Sequence, residues 1–184
     1  MDATVPAGAT PSLDFDKVRP MFRGTLTQGQ VDGINGILAA FGAMGDGNHR
    51  HLAYMLATAK HETAHTMQPI REWGRGRGLP YGHKDATGQV PYGRGLVQLT
   101  WTENYAKADQ RLGLNGALIK NYDLALDPKI AAEIMVRGMQ EGWFTGKKLA
   151  DYPDFLNMRR VINSLDQAQT IALYANTFLA ALGG

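Results

Sequence analysis

The segment in the middle of the chain, residues 74–95, most limits the folds that this sequence can adopt. It is rich in glycine, proline, tyrosine and single charges, and its apolar residues show no helical period. Apolar residues recur at helical spacing before it, from residue 27 to about 66, and after it, from about residue 103 to the end. The sequence therefore predicts a mainly α chain of the α+β type, interrupted once by a glycine-rich loop or a small β-hairpin around Asp85–Gly88. Long irregular segments inside compact domains are usually functional.

Capping residues indicate where the first two long helices begin and end. Thr27 and Gln30 have the spacing of a capping box. Asn48 can cap a second helix, which we expect to run to about Thr66, because Pro69 cannot continue it.

Later helix boundaries follow the same signals. Asp127 before Pro128 predicts an N-cap and a first helical position, and Gly142 predicts the end of that helix. Ser164 and Gln167 have the spacing of a second capping box, which predicts the start of an amphipathic helix that runs to the end of the chain.

Length and composition favour a single domain, residues 1–184, with residues 1–13 as a loosely ordered arm. The chain has no cysteine, which excludes a disulfide scaffold, a cysteine-ligated zinc finger and a thiol nucleophile. Its formal net charge of +2 is too small for a dedicated nucleic-acid-binding protein. The Gly74–Gly78 segment holds two arginines without phosphate-loop spacing, so we expect no nucleic-acid partner.

The sequence shows neither the pattern of a membrane-spanning helix nor that of a signal peptide. No run approaches the roughly 18 apolar residues that a membrane-spanning helix needs, and the first residues lack the order of a signal peptide. The terminal helix has no Lys or Arg after Arg160, so we expect it to pack in the core rather than on anionic lipid. We therefore expect synthesis in the cytoplasm and no stable membrane insertion.

His61, Glu62 and His65 form an HExxH motif on a predicted helix, a pattern short enough to arise often by chance. In zinc metalloproteases two such histidines bind the metal and the glutamate activates its water. The extended form of the motif would place glycine and histidine where Gln68 and Arg71 stand, and no third ligand is evident. A zinc metallopeptidase therefore stays an alternative, and the favoured interpretation has no metal and no cofactor.

In the metal-free interpretation, Glu62 lies at the border of an apolar helix face, although a glutamate near a helix end can also serve only as a cap or as an ion-pair partner. Partial desolvation favours the protonated form of a carboxyl group, which suits a general acid. Glycoside hydrolysis needs a second carboxylate across the scissile bond. Glu72, Asp85 and Glu103 are the candidates, and spacing alone does not choose among them.

Several motifs in order resemble glycoside hydrolase family 19, the plant-type chitinases, and most of all its bacteriophage endolysin branch. The motifs are His-Glu-Thr at 61–63 and Tyr-Gly-Arg-Gly-Leu-Val-Gln-Leu-Thr-Trp-Thr-Glu-Asn-Tyr at 92–105, followed by segments 142–149 and 159–163. The resemblance extends over about residues 27–180 and implies a lysozyme-like fold.

The resemblance assigns Glu62 as general acid, Glu72 as general base and Thr100 as the residue that helps to hold the attacking water. Members of this family invert the anomeric centre, which implies carboxyl groups about 6.5–9.5 Å apart. The resemblance and the side-chain chemistry together nominate a substrate-binding set, which is His61, Tyr92, Arg94, Gln98, Asn104 and Asn163.

The residue types fit a glycan ligand. The amides of Gln98 and Asn104 can both donate to and accept from hydroxyl and acetamide groups. Arg94 is expected to pair with a carboxylate, which could orient a catalytic carboxyl group or serve structure alone. Trp101 and Tyr92 could stack on sugar rings, although core packing is the more common role of aromatic residues.

The resemblance implies an endolysin, a monomer that hydrolyses β-1,4 bonds of bacterial peptidoglycan and reaches the wall through a holin-type pore. Ala64, His65, Glu103 and Ser164 depart from the family pattern, which weakens the case for chitin as substrate more than the case for the fold. A chitinase of the same family is also compatible with the motifs, as is a non-catalytic module that binds the wall.

Overall fold

The fold is mainly helical, as the sequence predicts, with one very small sheet. The computed structural model describes residues 8–183. The α-helices are α1 (Phe15–Val18), α2 (Gln28–Met44), α3 (His49–Glu62), α4 (Thr102–Leu112), α5 (Ala117–Lys120), α6 (Pro128–Glu141), α7 (Phe155–Met158) and α8 (Ala168–Ala181). Short 3₁₀ turns lie at Arg19–Phe22, Tyr122–Leu126, Leu149–Asp151 and Arg159–Val161.

Helix α3 is the centre of the core. Every residue from His51 to Lys60 is buried. Helix α8 packs along α3, and α2 packs against α6. Because α3 has apolar side chains on nearly all sides, other elements must surround it to keep those side chains from water. The terminal helix α8 buries Ile171, Ala175 and Phe178, as expected of a core helix.

Three of the predicted caps are present. Thr27 and Gln30 form a reciprocal capping box at α2. The Asn48 side chain accepts a hydrogen bond from the first turn of α3, and Asp127 does the same for α6. The predicted capping box before α8 is wrong, because Gln167 occupies the N-cap position with a left-handed backbone and makes no side-chain cap.

Helix α3 ends at Glu62, four residues earlier than the sequence predicts. Thr63 leaves helical geometry, and its hydroxyl donates to the Ala59 carbonyl and accepts from the Met67 N–H. Ala64 and His65 follow with positive φ. This sharp turn lets the chain bury Met67, which is 0% exposed.

A close crossing with α2 fixes that turn. A Cβ on Gly33 would lie 1.9 Å from the Met67 carbonyl oxygen, so only glycine permits the approach. The side chains of Gln30 and Gln68 add hydrogen bonds between the turn and α2, to the His65 and Gly29 carbonyls respectively. The end of α3 is therefore tied to the start of α2.

The sheet lies at the two ends of the irregular segment rather than inside it. Strands β1 (Ile70–Arg71) and β2 (Arg94–Gly95) pair antiparallel. The hairpin expected at Asp85–Gly88 is only a tight turn, closed by a hydrogen bond from the Gly88 N–H to the Asp85 carbonyl. Because β1 pairs with β2, the two ends of the intervening loop lie next to each other.

The expected N-terminal arm falls partly outside the described residues, which begin at residue 8. Residues 8–13 form no helix or strand, although Pro11 is buried. The Asp14 N–H donates to the Ala181 carbonyl at 3.0 Å, so the start of α1 lies against the end of α8. Within residues 8–183, no helix is long and apolar enough to cross a membrane.

Candidate active site

A polar cleft of about 340 Å³ lies where the end of α3 meets the irregular loop and the start of α4. Five separate parts of the chain form its walls, which is why no local sequence pattern outlines it. The lining residues are Glu62, Tyr81, Val97, Gln98, Thr100, Trp101, Asn104, Phe144, Ile162 and Asn163.

Glu62 presents its carboxyl group to this cleft from the last position of α3. Its Oε1 accepts a hydrogen bond from Nη1 of Arg159 at 2.6 Å. The Arg159 side chain is 3% exposed and that of Glu62 is 17% exposed, so the ion pair is largely withdrawn from water. A charged hydrogen bond in such surroundings is strong and fixes the orientation of the carboxyl group.

Arg159 is a site residue to which the sequence motifs give no role. It lies in a 3₁₀ turn after α7, and its Nε also donates to the Asp166 carbonyl at 3.0 Å. The only signal in the sequence is its place in segment 159–163, which carries part of the resemblance. Its contact with Glu62 spans 97 positions of sequence, so helical periodicity could not reveal it.

Glu72 approaches the same cleft from the irregular loop, directly after β1. Its Oε1 accepts from the Tyr81 hydroxyl and its Oε2 from the Gly93 N–H, each at 2.9 Å. Glu72 does not itself line the cleft, but its partner Tyr81 does. A carboxylate has about four acceptor positions, so two remain for a water molecule.

Tyr81 is a second residue that sequence reasoning misses. Its ring meets Trp101 edge to face at 5.1 Å, and this aromatic pair forms one wall of the cleft. Burial and the hydrogen bond to Glu72 raise the pKa of Tyr81 to about 12. The phenol therefore stays a hydrogen-bond donor to Glu72 at neutral pH.

Four of the predicted polar residues do line the cleft, namely Gln98, Thr100, Asn104 and Asn163. Internal hydrogen bonds hold all four side chains. Thr100 donates to the Gln98 carbonyl and Asn104 to the Thr100 carbonyl. Gln98 donates to the Ile70 and Gly95 carbonyls, and Asn163 accepts from the Ser164 N–H. Gln98 adopts a positive φ of 54°, which turns the chain between β2 and α4. The structure thus gathers these amides and the Thr100 hydroxyl around one cleft.

Tyr92 and Arg94 are not in the cleft, which corrects their assignment as substrate contacts. Arg94 is 5% exposed, and its Nε donates to Asp123 at 2.8 Å. Its guanidinium group lies over the Tyr92 ring at 3.6 Å and also donates to the Tyr105 hydroxyl. Arg94 therefore pairs with a structural carboxylate, and its role is to hold the loop on the core.

The histidines of the HExxH motif do not share a helix face. Helix α3 ends at Glu62, and His65 has a φ of 69° and packs edge to face on Tyr174. His61 lies in the last turn of α3 and does not line the cleft. Across residues 8–183 no three His, Asp or Glu side chains are grouped as a metal site requires. The early helix end removes the geometric basis of the zinc alternative.

Neither of the remaining carboxylate candidates faces the cleft. Asp85 accepts hydrogen bonds from Thr102, Thr87 and Tyr122. Burial alone would raise the pKa of Asp85, but these hydrogen bonds outweigh it and hold that pKa well below its usual range. Glu103 is exposed on α4 outside the lining residues. Glu72 is thus the candidate that accepts a hydrogen bond from a residue of the cleft lining, Tyr81.

Comparison with known proteins shows a chitinase-like sequence segment. No family model matches the chain. The chain is 33% identical over 106 residues to acidic endochitinase SP2 of Beta vulgaris, an alignment that covers 54% of this chain and 34% of that protein. The chain thus spans about a third of the length of that relative.

Solved structures show the same fold over nearly the whole chain. Chitinase C from Streptomyces griseus superposes with a TM-score of 0.66 and 24% identity, covering 93% of this chain and 76% of that one. A bacterial family 19 chitinase gives 0.67 and 23%, with 93% and 95% covered. The class IV family 19 chitinase of Zea mays gives 0.58 and 19%, with 92% of each chain covered. The chain has the fold of family 19 chitinases, which confirms the resemblance at the level of fold.

Proposed function

We propose that this chain is a glycoside hydrolase that cleaves β-1,4 bonds of bacterial peptidoglycan, with inversion of the anomeric centre. One observation carries the proposal most: a carboxyl group at the end of a buried helix, fixed by Arg159, faces a cleft lined by amides and aromatic rings. A second carboxylate, Glu72, contacts the same cleft through Tyr81.

In the proposed reaction Glu62 is the general acid. Its protonated carboxyl group gives the proton to the glycosidic oxygen, and the bond from that oxygen to the anomeric carbon breaks. The sugar on the far side leaves with a new hydroxyl group. Arg159 stabilises the negative charge that Glu62 carries after this transfer, because the charged hydrogen bond is shielded from water.

Glu72 is the proposed general base. It takes one proton from a water molecule, whose oxygen forms the new bond to the anomeric carbon from the opposite face. The Thr100 hydroxyl donates to the Gln98 carbonyl, so its oxygen is free to accept from that water. Water supplies one hydrogen and the hydroxyl group, and both catalytic residues return to their initial states when Glu72 passes its proton to solvent and Glu62 takes one up.

The cleft lining supports an N-acetylated sugar. Side-chain amides of Gln98, Asn104 and Asn163 can pair with acetamide and hydroxyl groups, while Trp101 offers an aromatic face. Peptidoglycan and chitin both contain such sugars in β-1,4 linkage. Peptidoglycan is the substrate we propose because the motif order resembles the phage branch; the names of the relatives make chitin the second candidate.

As an endolysin, the protein would act on the cell wall after release from the cytoplasm through a holin-type pore. A monomer is sufficient for this role, because the proposed catalytic groups come from one chain.

A turbidity assay tests the proposal directly. Permeabilised Gram-negative cells and colloidal chitin are treated in parallel with the wild-type chain and with Glu62→Gln. We expect the wild type to clear the cells and the variant to fail. Mass spectrometry of the released fragments identifies the bond, since the sugar at the new reducing end differs between the two β-1,4 linkages of peptidoglycan. Intact sacculi after treatment with folded wild-type protein would contradict the proposal.

A further inference from the structure

A strongly cationic strip borders the cleft and takes no part in the chemistry described above. It consists of Trp73, Arg75, Arg77 and Lys84, here called the cationic rim, and it lies on the irregular loop directly after Glu72. Trp73 is 100% exposed, and the three basic side chains are exposed as well. Within residues 8–183 none of these three cations forms an ion pair. From residue 73 to residue 84 the sequence holds no acidic residue.

Backbone contacts hold the part of the loop that carries Arg75 and Arg77 close to Tyr81 in the cleft wall. The Arg75 N–H donates to the Glu72 carbonyl at 3.1 Å. A Cβ on Gly82 would lie 1.8 Å from the Gly76 carbonyl oxygen, so the two arms of this loop touch. A Cβ on Gly76 would lie 3.2 Å from the Tyr81 ring, and Tyr81 lines the cleft. This part of the rim is therefore packed next to the cleft wall.

The charge on the rim contrasts with the cleft beside it. Most polar groups that line the cleft are neutral amides and hydroxyls, and its carboxyl group, Glu62, is neutralised by Arg159. Unpaired cations at a cleft mouth raise the local concentration of anionic ligands. A tryptophan with its whole ring in water gains most when a flat apolar face, such as that of a pyranose ring, covers it.

We propose that the cationic rim binds the acidic substituents of the glycan outside the catalytic cleft, and so distinguishes a carboxylated strand from a neutral one. Arg75 and Arg77 attract carboxylates borne on the strand, while Trp73 stacks on a sugar beyond the scissile bond. Peptidoglycan carries carboxylates on its stem peptides, whereas chitin carries none. This inference rests on the proposed function and names the chemical feature of the substrate that the site selects.

Binding in a chain that cannot turn over tests the rim separately from catalysis. Glu62→Gln protein is incubated with insoluble sacculi or with chitin beads at about 0.05 M and about 0.5 M salt, and the bound fraction is measured. Adding Arg75→Gln and Arg77→Gln should weaken binding to sacculi about fivefold to tenfold at low salt. At high salt the difference should nearly disappear, because exposed charges are screened. The loss on chitin should be much smaller.

The matched control removes two exposed cations elsewhere. Arg23→Gln with Lys120→Gln makes the same change in net charge at positions outside the rim and the cleft. We expect this control to bind sacculi like the parent. An equal loss in the control and the rim variant would overturn the proposal, because net charge alone would then explain binding.

Trp73→Ala provides a second arm that does not depend on charge. It should weaken binding to both polymers, with a loss that persists at about 0.5 M salt, since stacking is not screened. Unchanged binding to both polymers would remove Trp73 from the proposal. A wild-type chain that binds sacculi through the rim but cleaves no glycan would contradict the proposed function alone. A wild-type chain that cleaves peptidoglycan, with rim variants indistinguishable from it in binding, would contradict the rim alone.

Discussion

The two proposed catalytic carboxyl groups are supported in opposite ways. Glu62 ends a helix in which every residue from His51 to Lys60 is buried, and its partner Arg159 is buried too. Glu72 stands on a loop with almost no regular structure, and a phenol and one backbone N–H hold it. The acid is thus fixed by core packing, whereas the base is fixed by a few hydrogen bonds.

The rigid support of Glu62 and the looser support of Glu72 match their proposed roles as general acid and general base. A proton donor must point at one oxygen atom, which favours a rigid mount. A base must accept a water molecule and tolerate the entry of a long polymer, and a loop can adjust more easily than a core helix. Substitutions around Glu62 should therefore change both activity and stability, while those around Glu72 should change activity alone.

The largest expected effect is that of Glu62→Gln on activity. Losing the proton donor should lower the rate of wall lysis by about 10²–10⁴-fold. Glutamine keeps an acceptor oxygen for Arg159, so the chain should stay folded. Turbidity and far-UV circular dichroism measure the two properties, and a variant with near-normal lysis would remove Glu62 as the acid.

Glu72→Gln should come next, with a loss of about 10²-fold or more and an unchanged melting temperature. Asp85→Asn and Glu103→Gln serve as comparisons for activity, since neither carboxylate hydrogen-bonds a residue that lines the cleft. A larger loss of activity in either comparison, at equal folded fraction, would transfer the role of base to that residue.

Arg159→Met tests whether the buried ion pair that supports Glu62 contributes to the stability of the fold. The substitution leaves Glu62 without its buried partner, and breaking such a pair costs about 3–5 kcal/mol, less here because Glu62 is partly exposed. Urea denaturation measures the free energy of unfolding. A similar loss of stability in Tyr81→Phe, which removes the hydrogen bond to Glu72, would break the contrast between the two sides.

Gly93→Ala tests how closely the loop contacts around Glu72 control activity. The added Cβ would lie 3.0 Å from Oε1 of Gln98 and 3.3 Å from Cβ of Glu72, so both side chains must shift. We expect roughly tenfold lower activity, since misplacement of a catalytic group by 1 Å costs up to about 10²-fold. Gly36→Ala is the matched control, because nothing lies within 4 Å of its Cβ and alanine favours the helix.

Lys60 gives the smallest effect, a dependence of stability on pH. Burial lowers the pKa of Lys60 to about 8 from 10.5. Among residues 8–183 its ammonium group finds no hydrogen-bond partner and lies near the rings of Tyr174 and Phe22. Between those two pKa values the unfolded chain binds more protons, so the free energy of unfolding should rise as pH rises from about 8 to 10.5.

Substitution isolates that contribution. Lys60→Met should be more stable than the wild type at pH 7, by on the order of 1–3 kcal/mol, and the difference should shrink as the pH approaches 10.5. Denaturant titrations at several pH values measure it. A difference that does not vary with pH would show that Lys60 stays protonated in the folded chain.

Most of the helix starts are set by local signals, although the capping box predicted at Ser164 and Gln167 does not form. The caps at Thr27, Asn48 and Asp127 and the mainly α fold are confirmed because they depend on neighbouring residues. The end of α3 at Glu62 escapes local signals because burial of Met67 and the crossing at Gly33 decide it, and both are tertiary contacts.

The candidate site likewise contains residues that the motifs predict correctly and one whose role depends on a tertiary contact. The resemblance nominates Glu62, Gln98 and Asn104, and the structure brings them to one cleft. Arg94 lies within a motif of the resemblance, yet it pairs with Asp123, which is distant in sequence. Its role could not be settled from spacing, because nothing local distinguishes an arginine that contacts ligand from one that braces a loop.

The hydrogen bond between Asp14 and Ala181 has a consequence for protein engineering. Since the start of α1 lies against the end of α8, a short peptide could join residue 14 to residue 181 without stretching either helix. New ends could then be opened at the exposed turn near Thr87. Such a circularly rearranged chain would keep the ion pair of Glu62 and Arg159, but the loop that carries Glu72 would gain a free end. The contribution of loop flexibility to activity could then be measured while the support of Glu62 stays unchanged.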